Sequence, residues 1–428
     1  MLGTSLLFGC ALPPTAIDAT SGYLDDPAYA RAEMTASLVN PDNSYSALRL
    51  AHYASGSAGD WDRLPEWNPP AETLEAGELD APGGASPDQM SSRAASLALP
   101  PSVRSADDPA LIALGKEAFE RYPTQLAQYL RVALTSRAAA ARYGVWVDEA
   151  AGVGGLVRAR MADGSGALAL TCASCHTVRA LDGGGGVSPG VPNAALDLGA
   201  AILEAQGIPG SASQDPHAVW GPGRVDVTTA SGTEPARIAD LRPVRWLSYL
   251  QQDATLRARN VTTLAIRIET LIVTAGNEAV RPPRIVALAL AAYVDSLATA
   301  LPAPEDAAAL SPHGASIFQA TCAGCHAPPA FTGEPVPLAI IGTDPVLGLS
   351  ADRGTGTYRV PSLHGVGTRG PLLHDGTVPS VDALFDPSRV TAAFAQKLHG
   401  TGSVPGHAYG LDLADGDRRD LITYLHSL

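Results

Sequence analysis

The run Thr321-Cys322-Ala323-Gly324-Cys325-His326, near the end of the chain, decides the fold, and Thr171-Cys172-Ala173-Ser174-Cys175-His176 repeats it. In a Cys-x-x-Cys-His run, two thiols one helical turn apart can add to the vinyl groups of a porphyrin while the adjacent imidazole reaches the iron. Zinc is the rival chemistry, but its paired Cys-x-x-Cys runs usually lie about 15–20 residues apart. Here Cys175 and Cys322 are far more distant, each pair carries its own histidine, and the two runs take four of the five cysteines. The pattern predicts two covalently attached haem c groups, one on Cys172, Cys175 and His176, the other on Cys322, Cys325 and His326.

Around the second run, Gly314 and Phe318 lie four apart on a predicted helix that ends in the motif. The chain closes with Asp417 to Leu428, where Asp417 can cap and Leu421, Leu425 and Leu428 follow at helical spacing. Two such helices crossed over one haem predict a compact cytochrome c-like domain over 303–428, bounded by Leu301-Pro302-Ala303-Pro304.

Residues 106–302 read as the first haem domain. A helical region is predicted from Asp108 to about Ala141, with Leu111, Leu114, Phe119, Leu126, Tyr129, Leu130 and Leu134 on its apolar face. Between it and the first motif lies an insertion containing Trp146 and several glycines, and Ala167 to Thr171 leads into the motif in extended or short helical form. Gly183 to Gly186 suits tight turns, and Pro192-Asn193 is expected to open a helix through about Gln206. In Trp220-Gly221-Pro222-Gly223-Arg224-Val225-Asp226 a bend separates an indole from a guanidinium, which suits pressing a ring on a haem edge with Arg224 left to pair a propionate. A helix is expected from Pro283 to about Ala300, opened by a proline pair. Its apolar run, Ile285 to Val294, is too short to span a bilayer. The fold class expected is mainly α, two cytochrome c-like domains with long irregular loops.

Residues 21–105 read as a Pro/Gly-rich extension with little core of its own, containing one short helix from Asn43 to Tyr53 and pinned by Trp61 and Trp67. Residues 1–20 form a signal or anchor region. Ser5-Leu6-Leu7-Phe8-Gly9-Cys10 resembles the lipobox of a bacterial lipoprotein, although the positively charged start of an ordinary signal is missing. The expectation is lipidation at Cys10 and export to the periplasm or cell envelope as an outer-membrane lipoprotein. A formal charge of −14 argues against nucleic acid as a partner. With Lys116 and Lys397 the only lysines, a lysine-rimmed docking patch is excluded.

Tyr358-Arg359-Val360-Pro361-Ser362-Leu363-His364-Gly365-Val366 and Arg369-Gly370-Pro371-Leu372-Leu373-His374-Asp375-Gly376 resemble the loop signature of the bacterial dihaem cytochrome c peroxidase and MauG superfamily. The similarity runs from about Ala110 to the end and is strongest in the last third. Gly406-His407-Ala408-Tyr409-Gly410 and the Trp220 to Asp226 run are more similar to the dihaem rubber-oxygenase branch. The resemblance implies a periplasmic haem oxidoreductase fed by a redox partner protein, a cytochrome or cupredoxin, and raises a calcium ion between the domains.

Two departures qualify it. No histidine occurs from Thr177 to Pro216, so His217 is the first available for haem 1. The four methionines are Met1, Met34, Met90 and Met161, so none follows the second motif. In the oxygenase-like branch the sixth ligand of haem 2 matches His407, which predicts ligation by His326 and His407, with His374 as the rival. His364 and His399 are more remote rivals, and His52, His313 and His426 read as packing or surface residues. The expected division of labour makes haem 1, on His176, the centre that meets peroxide or dioxygen, and haem 2 the one that passes electrons, with Trp220 or Trp246 between them. The alternative is a dihaem electron-transfer cytochrome without a substrate of its own. Oxygenase action on a polymer rests on fold analogy alone.

Overall fold

A computed structural model describes residues 16–103, 105–161, 163–180, 185–209, 214–226, 234–301 and 307–428. Cys10 with the run before it, Gly183, Gly184 and the boundary residues Pro302 to Pro304 lie outside the described residues. The protein is mainly α, with short strands.

The helices needed here are, in chain order, α1 (Ala16–Asp25), α2 (Pro27–Ser37), α3 (Ser44–His52), α4 (Pro109–Arg121), α5 (Leu198–Ala205), α6 (Val261–Ala275), α7 (Arg284–Ser296), α8 (Pro312–Thr321) and α9 (Asp415–His426). One crossing occurs twice. In the second half α8 meets α9, and a Cβ on Gly314 would come within 2.1 Å of the Asp420 carbonyl oxygen. Only glycine lets the two backbones approach so closely. One turn further, the Phe318 ring packs on Tyr424 at 5.2 Å between centroids. In the first half α4 meets α7 in the same way: a Cβ on Gly115 would come within 1.9 Å of the Ala289 oxygen. Phe119 packs edge-on against Tyr293 at 5.3 Å. Each fully buried phenylalanine contributes roughly 1.5–3 kcal/mol from burial alone.

Asp108 starts α4 by accepting from the Ala110 N–H, with Pro109 in the first turn. The helical region expected as far as Ala141 is broken after Arg121. Pro123 disfavours α conformation in the residue before it, and Tyr122 is extended. The chain then runs through a strand at Gln125–Leu126, a 3-10 segment at Gln128–Leu134 and a short helix at Arg137–Arg142. The helix expected to open at Pro192-Asn193 begins at Leu198, where Asp197 caps it. The Asn193 amide is instead bonded to the Gly144 carbonyl oxygen at 2.9 Å.

The stretch inserted before the first motif builds an antiparallel sheet. With β1 (Ala71–Thr73), β2 (Gln125–Leu126), β3 (Leu156–Arg160) and β4 (Gly166–Leu170), the order is β1-β3-β4-β2. Leu156 pairs with Leu170, and Gln125 pairs with Leu170 from the other side. The sheet delivers Thr171 directly to the motif.

The N-terminal extension is more structured than expected. It contributes three helices rather than one, and its Tyr23, Met34, Tyr53 and Trp61 belong to the same apolar core as Leu111, Phe119, Ile266 and Leu290. A buried carboxylate ties it down. Tyr23 and Tyr53 both donate to Glu269 Oε2 on α6 at 2.8 Å. Arg284, at the start of α7, lies 3.5 Å from Glu269 and donates to Asp62 at 2.8 Å.

Candidate functional site

α8 runs straight into the second motif, and the His326 N–H donates to the Cys322 carbonyl at 2.9 Å. His326 Nδ1 lies 3.2 Å from the Phe331 oxygen and 3.1 Å from the Pro361 oxygen. Carbonyls accept only, so Nδ1 carries the proton and Nε2 is left to bind a metal. His407 stands opposite. The ring centroids are 6.4 Å apart, with the planes at 68°. Two imidazoles bound to one metal from opposite sides, each nitrogen about 2 Å away, would sit at about this separation. His326, His407, Cys322 and Cys325 share one cleft, walled by apolar side chains such as Leu363 and Phe385 and enclosing about 1370 Å³ including its open mouth. Burial pushes both imidazoles down to about 4, holding them in the neutral form that coordinates metals. These residues fit a haem bonded to Cys322 and Cys325 with His326 and His407 on its two faces.

His407 is carried on an irregular turn, and its own φ is +42°. Its N–H donates to the Ile341 oxygen at 2.6 Å. Gly406 precedes it at φ +78°, where a Cβ would come within 2.2 Å of the Thr343 nitrogen. The fully buried Arg389 holds this turn by donating to the oxygens of Leu384 at 2.6 Å, Val404 at 2.7 Å, Gly406 at 3.0 Å and His407 at 2.7 Å.

The first motif is equally well built on its proximal side. Thr171 caps the Cys172–Cys175 turn and Ser174 reciprocates. Both hydroxyls donate to the Gly155 oxygen, at 2.8 and 2.9 Å. Gly155, at φ +64°, is pressed so close that a Cβ would lie 2.5 Å from the Ser174 nitrogen. Cys172 leans on the α4–α7 core and Cys175 on the core beneath the sheet. Burial pushes both thiols up to about 12. His176 Nδ1 donates to the Ala239 oxygen at 2.9 Å, again leaving Nε2 for a metal, and burial lowers its pKa to about 4.

All ten histidines lie among the described residues, and no histidine ring faces His176 there. His217 is bonded to Asp215 at 2.5 Å and leans on Trp220 at 4.9 Å. His374 stacks on Tyr358 at 4.1 Å in the wall of the second cleft. His52 accompanies Trp61 and the Gly59 oxygen, His313 pairs with Asp417 and His426 with Asp382. His399 lies beside Gly221. Arg224 donates from Nε and Nη2 to the oxygens of Trp220 and Val219, satisfying the end of the 3-10 turn that precedes it. Trp220 is buried in the first half's own core, against which Cys175 packs. Trp246 stacks on His364 at 3.8 Å, joining the two halves.

Among the described residues no group of three or more His, Cys, Asp and Glu side chains is placed to hold a metal ion. No described helix is long and apolar enough to cross a membrane. Arg389 and the arginines of the cleft escape sequence reasoning, because Asp386-Pro387-Ser388-Arg389 reads as a surface turn.

No protein-family model matches the chain, and no curated protein matches it either. Among the solved structures that resemble it is a MauG-like protein associated with microbial copper homeostasis, 17% identical, with a TM-score of 0.34 over 50% of this chain and 79% of that one. Another is the dihaem peroxidase BthA from Burkholderia thailandensis, 16% identical, with a TM-score of 0.35 over 85% of this chain and 94% of that one. Similarity at this level establishes neither a family nor an activity.

Proposed function

We propose that the protein is an exported dihaem c-type oxidoreductase in which the haem on His176 meets peroxide or dioxygen and the haem between His326 and His407 passes electrons. The observation that carries this is the difference between the two motifs: His407 stands against His326, and no histidine ring among the described residues stands against His176. Bound haem supplies one-electron chemistry and, where an axial position is free, a place for a small oxidant.

The chain's own residues do the rest. The Ala239 carbonyl fixes the tautomer of His176, and the Phe331 and Pro361 carbonyls do the same for His326. Trp246, from the first half, stacks on His364, and His364 meets Phe331 edge-on at 5.4 Å, next to the carbonyl that orients His326. This makes Trp246 a better bridge than Trp220. Electrons would come from a cytochrome or cupredoxin outside the chain. Export and a lipid anchor at Cys10 rest on the sequence alone.

Optical and EPR spectra of the purified protein, with and without peroxide and carbon monoxide, test the proposal. One haem should be low-spin and inert while the other responds. Two low-spin haems that ignore both reagents would leave the electron-transfer cytochrome as the function.

A further inference from the structure

Three arginines in the second cleft form no ion pair among the described residues. Arg237, from the first half, and Arg359 and Arg369, from the loop after the second motif, line the same cleft as Cys322, His326 and His407. Each is half-buried where it lines that cleft, and the Nε of each is sealed from solvent with no hydrogen-bond partner among the described residues. Among the described residues no carboxylate lies within ion-pair distance of any of the three. The nearby acids have partners of their own: Asp240 is engaged by Arg242 at 2.6 and 3.0 Å, Asp253 by Arg353 at 3.4 Å, and Asp375, which faces Arg237, accepts from Thr377 at 2.8 Å. The Arg359 guanidinium donates to the Gln252 amide oxygen at 3.2 Å, and the Arg369 guanidinium to the Ser362 carbonyl. Burial, reinforced for Arg359 by its two neighbours, pushes its guanidinium down to about 9, while burial and Arg237 hold Arg369 at about 10 against the pull of Asp240.

Grouped buried cations of this kind are costly unless an anion arrives to pair with them. The guanidinium fork matches a carboxylate, with two parallel N–H donors for two oxygens. A porphyrin bonded to Cys322 and Cys325 brings two carboxylates of its own into this cleft. We propose that Arg237, Arg359 and Arg369 form the wall that receives both propionates of the second haem, the first half supplying one of the three cations. The inference rests on the haem assignment at the second motif.

The wall has an electrical consequence. Positive charge beside the porphyrin favours the reduced iron, so the arginines raise the potential of a bis-histidine haem. Arg237 also stands two residues before Ala239, whose carbonyl orients His176, so one short segment touches both sites.

Redox titration of the holoprotein and of Arg359→Gln, Arg369→Gln and the double variant tests the proposal, after covalent haem content and the low-spin EPR signal have been recorded for each. The midpoint potential of the low-spin haem should fall in each single variant and further in the double one, with Arg359→Lys and Arg369→Lys staying near the parent. An unmoved potential in a double variant that retains its haem overturns the proposal. Absence of covalent haem at the second motif in the parent protein overturns the haem assignment instead. Should the glutamine variants fail to fold, resonance Raman of the parent reads the propionate bending modes directly: frequencies of hydrogen-bonded propionates support the wall, and those of free propionates reject it. Titration with acetate separates the remaining source of carboxylate. A saturable shift in potential would mean that the arginines hold a free anion rather than the propionates, and would also overturn the proposal.

Discussion

Arg389 donates to the carbonyl oxygen of His407 at 2.7 Å, and the same guanidinium holds three further carbonyls of the surrounding backbone. A side chain remote in sequence therefore fixes where an imidazole stands. His407→Ala should convert the low-spin haem to a high-spin one that binds added imidazole. Arg389→Gln should give a mixture of the two states and cost roughly 2–4 kcal/mol of stability, with Arg389→Lys partly restoring the low-spin form. EPR and denaturant titration check both; an unchanged low-spin signal in His407→Ala would remove it as a ligand.

The repeated crossing makes a second prediction with a clear sign. Alanine is about 1 kcal/mol better than glycine in a free helix. At Gly115 and Gly314, however, the added methyl would meet a carbonyl oxygen. Gly115→Ala and Gly314→Ala should each destabilise by roughly 1–3 kcal/mol. A neutral or stabilising result in urea unfolding would show that the helices can separate without cost.

Glu269 fastens the N-terminal helices. Removing its carboxylate leaves the Tyr23 and Tyr53 hydroxyls without acceptors and takes one partner from Arg284. Glu269→Leu should cost roughly 2–5 kcal/mol. Limited proteolysis should then cut first within 16–103, ahead of the rest of the chain.

Two histidines away from the cofactor positions should titrate in opposite senses. Burial, with Arg224 adding to it, lowers His399 to about 4, whereas the hydrogen bond to Asp417 raises His313 above its ordinary value of 6.5. For His399 the unfolded chain binds the extra proton between pH 6.5 and about 4, so the stability it supports is lost as pH falls through that window. For His313 the sign is reversed: its contribution is present below 6.5 and disappears as pH rises through its folded pKa. Imidazole NMR titration of the folded protein measures both directly.

Much of this was legible in residue types and their spacing. The two motifs and Gly314 with Phe318 are local patterns, and the helices that cross do so where glycine and aromatic residues said they could. Gly115 and Phe119 repeat that pattern, and Tyr293 and Tyr424 complete it, but the pairing is hidden because α7 lies far down the chain from α4. The extension reads as poorer in core than it is because Tyr23, Met34, Tyr53 and Trp61 are spread singly through polar sequence. The hydroxyls of Tyr23 and Tyr53 depend on Glu269, more than 200 positions away. The burial of Arg389 and of the cleft arginines is hidden for a different reason. A buried charge looks like a surface charge until the backbone folds around it.

The first crossing joins residue 115 to residue 289, whereas the second joins residue 314 to residue 420. Cys172 and Cys175 therefore sit about a third of the way along the long loop that this first crossing closes, and long-range closure of this kind slows folding. The first cysteine pair precedes α7, which belongs to the core Cys172 leans on, by more than 100 residues, whereas Gly155, which holds Thr171 and Ser174, lies upstream of it. The core on which Cys172 rests is thus complete only once α7 is present, although the strands and Gly155 that hold the motif itself come before it.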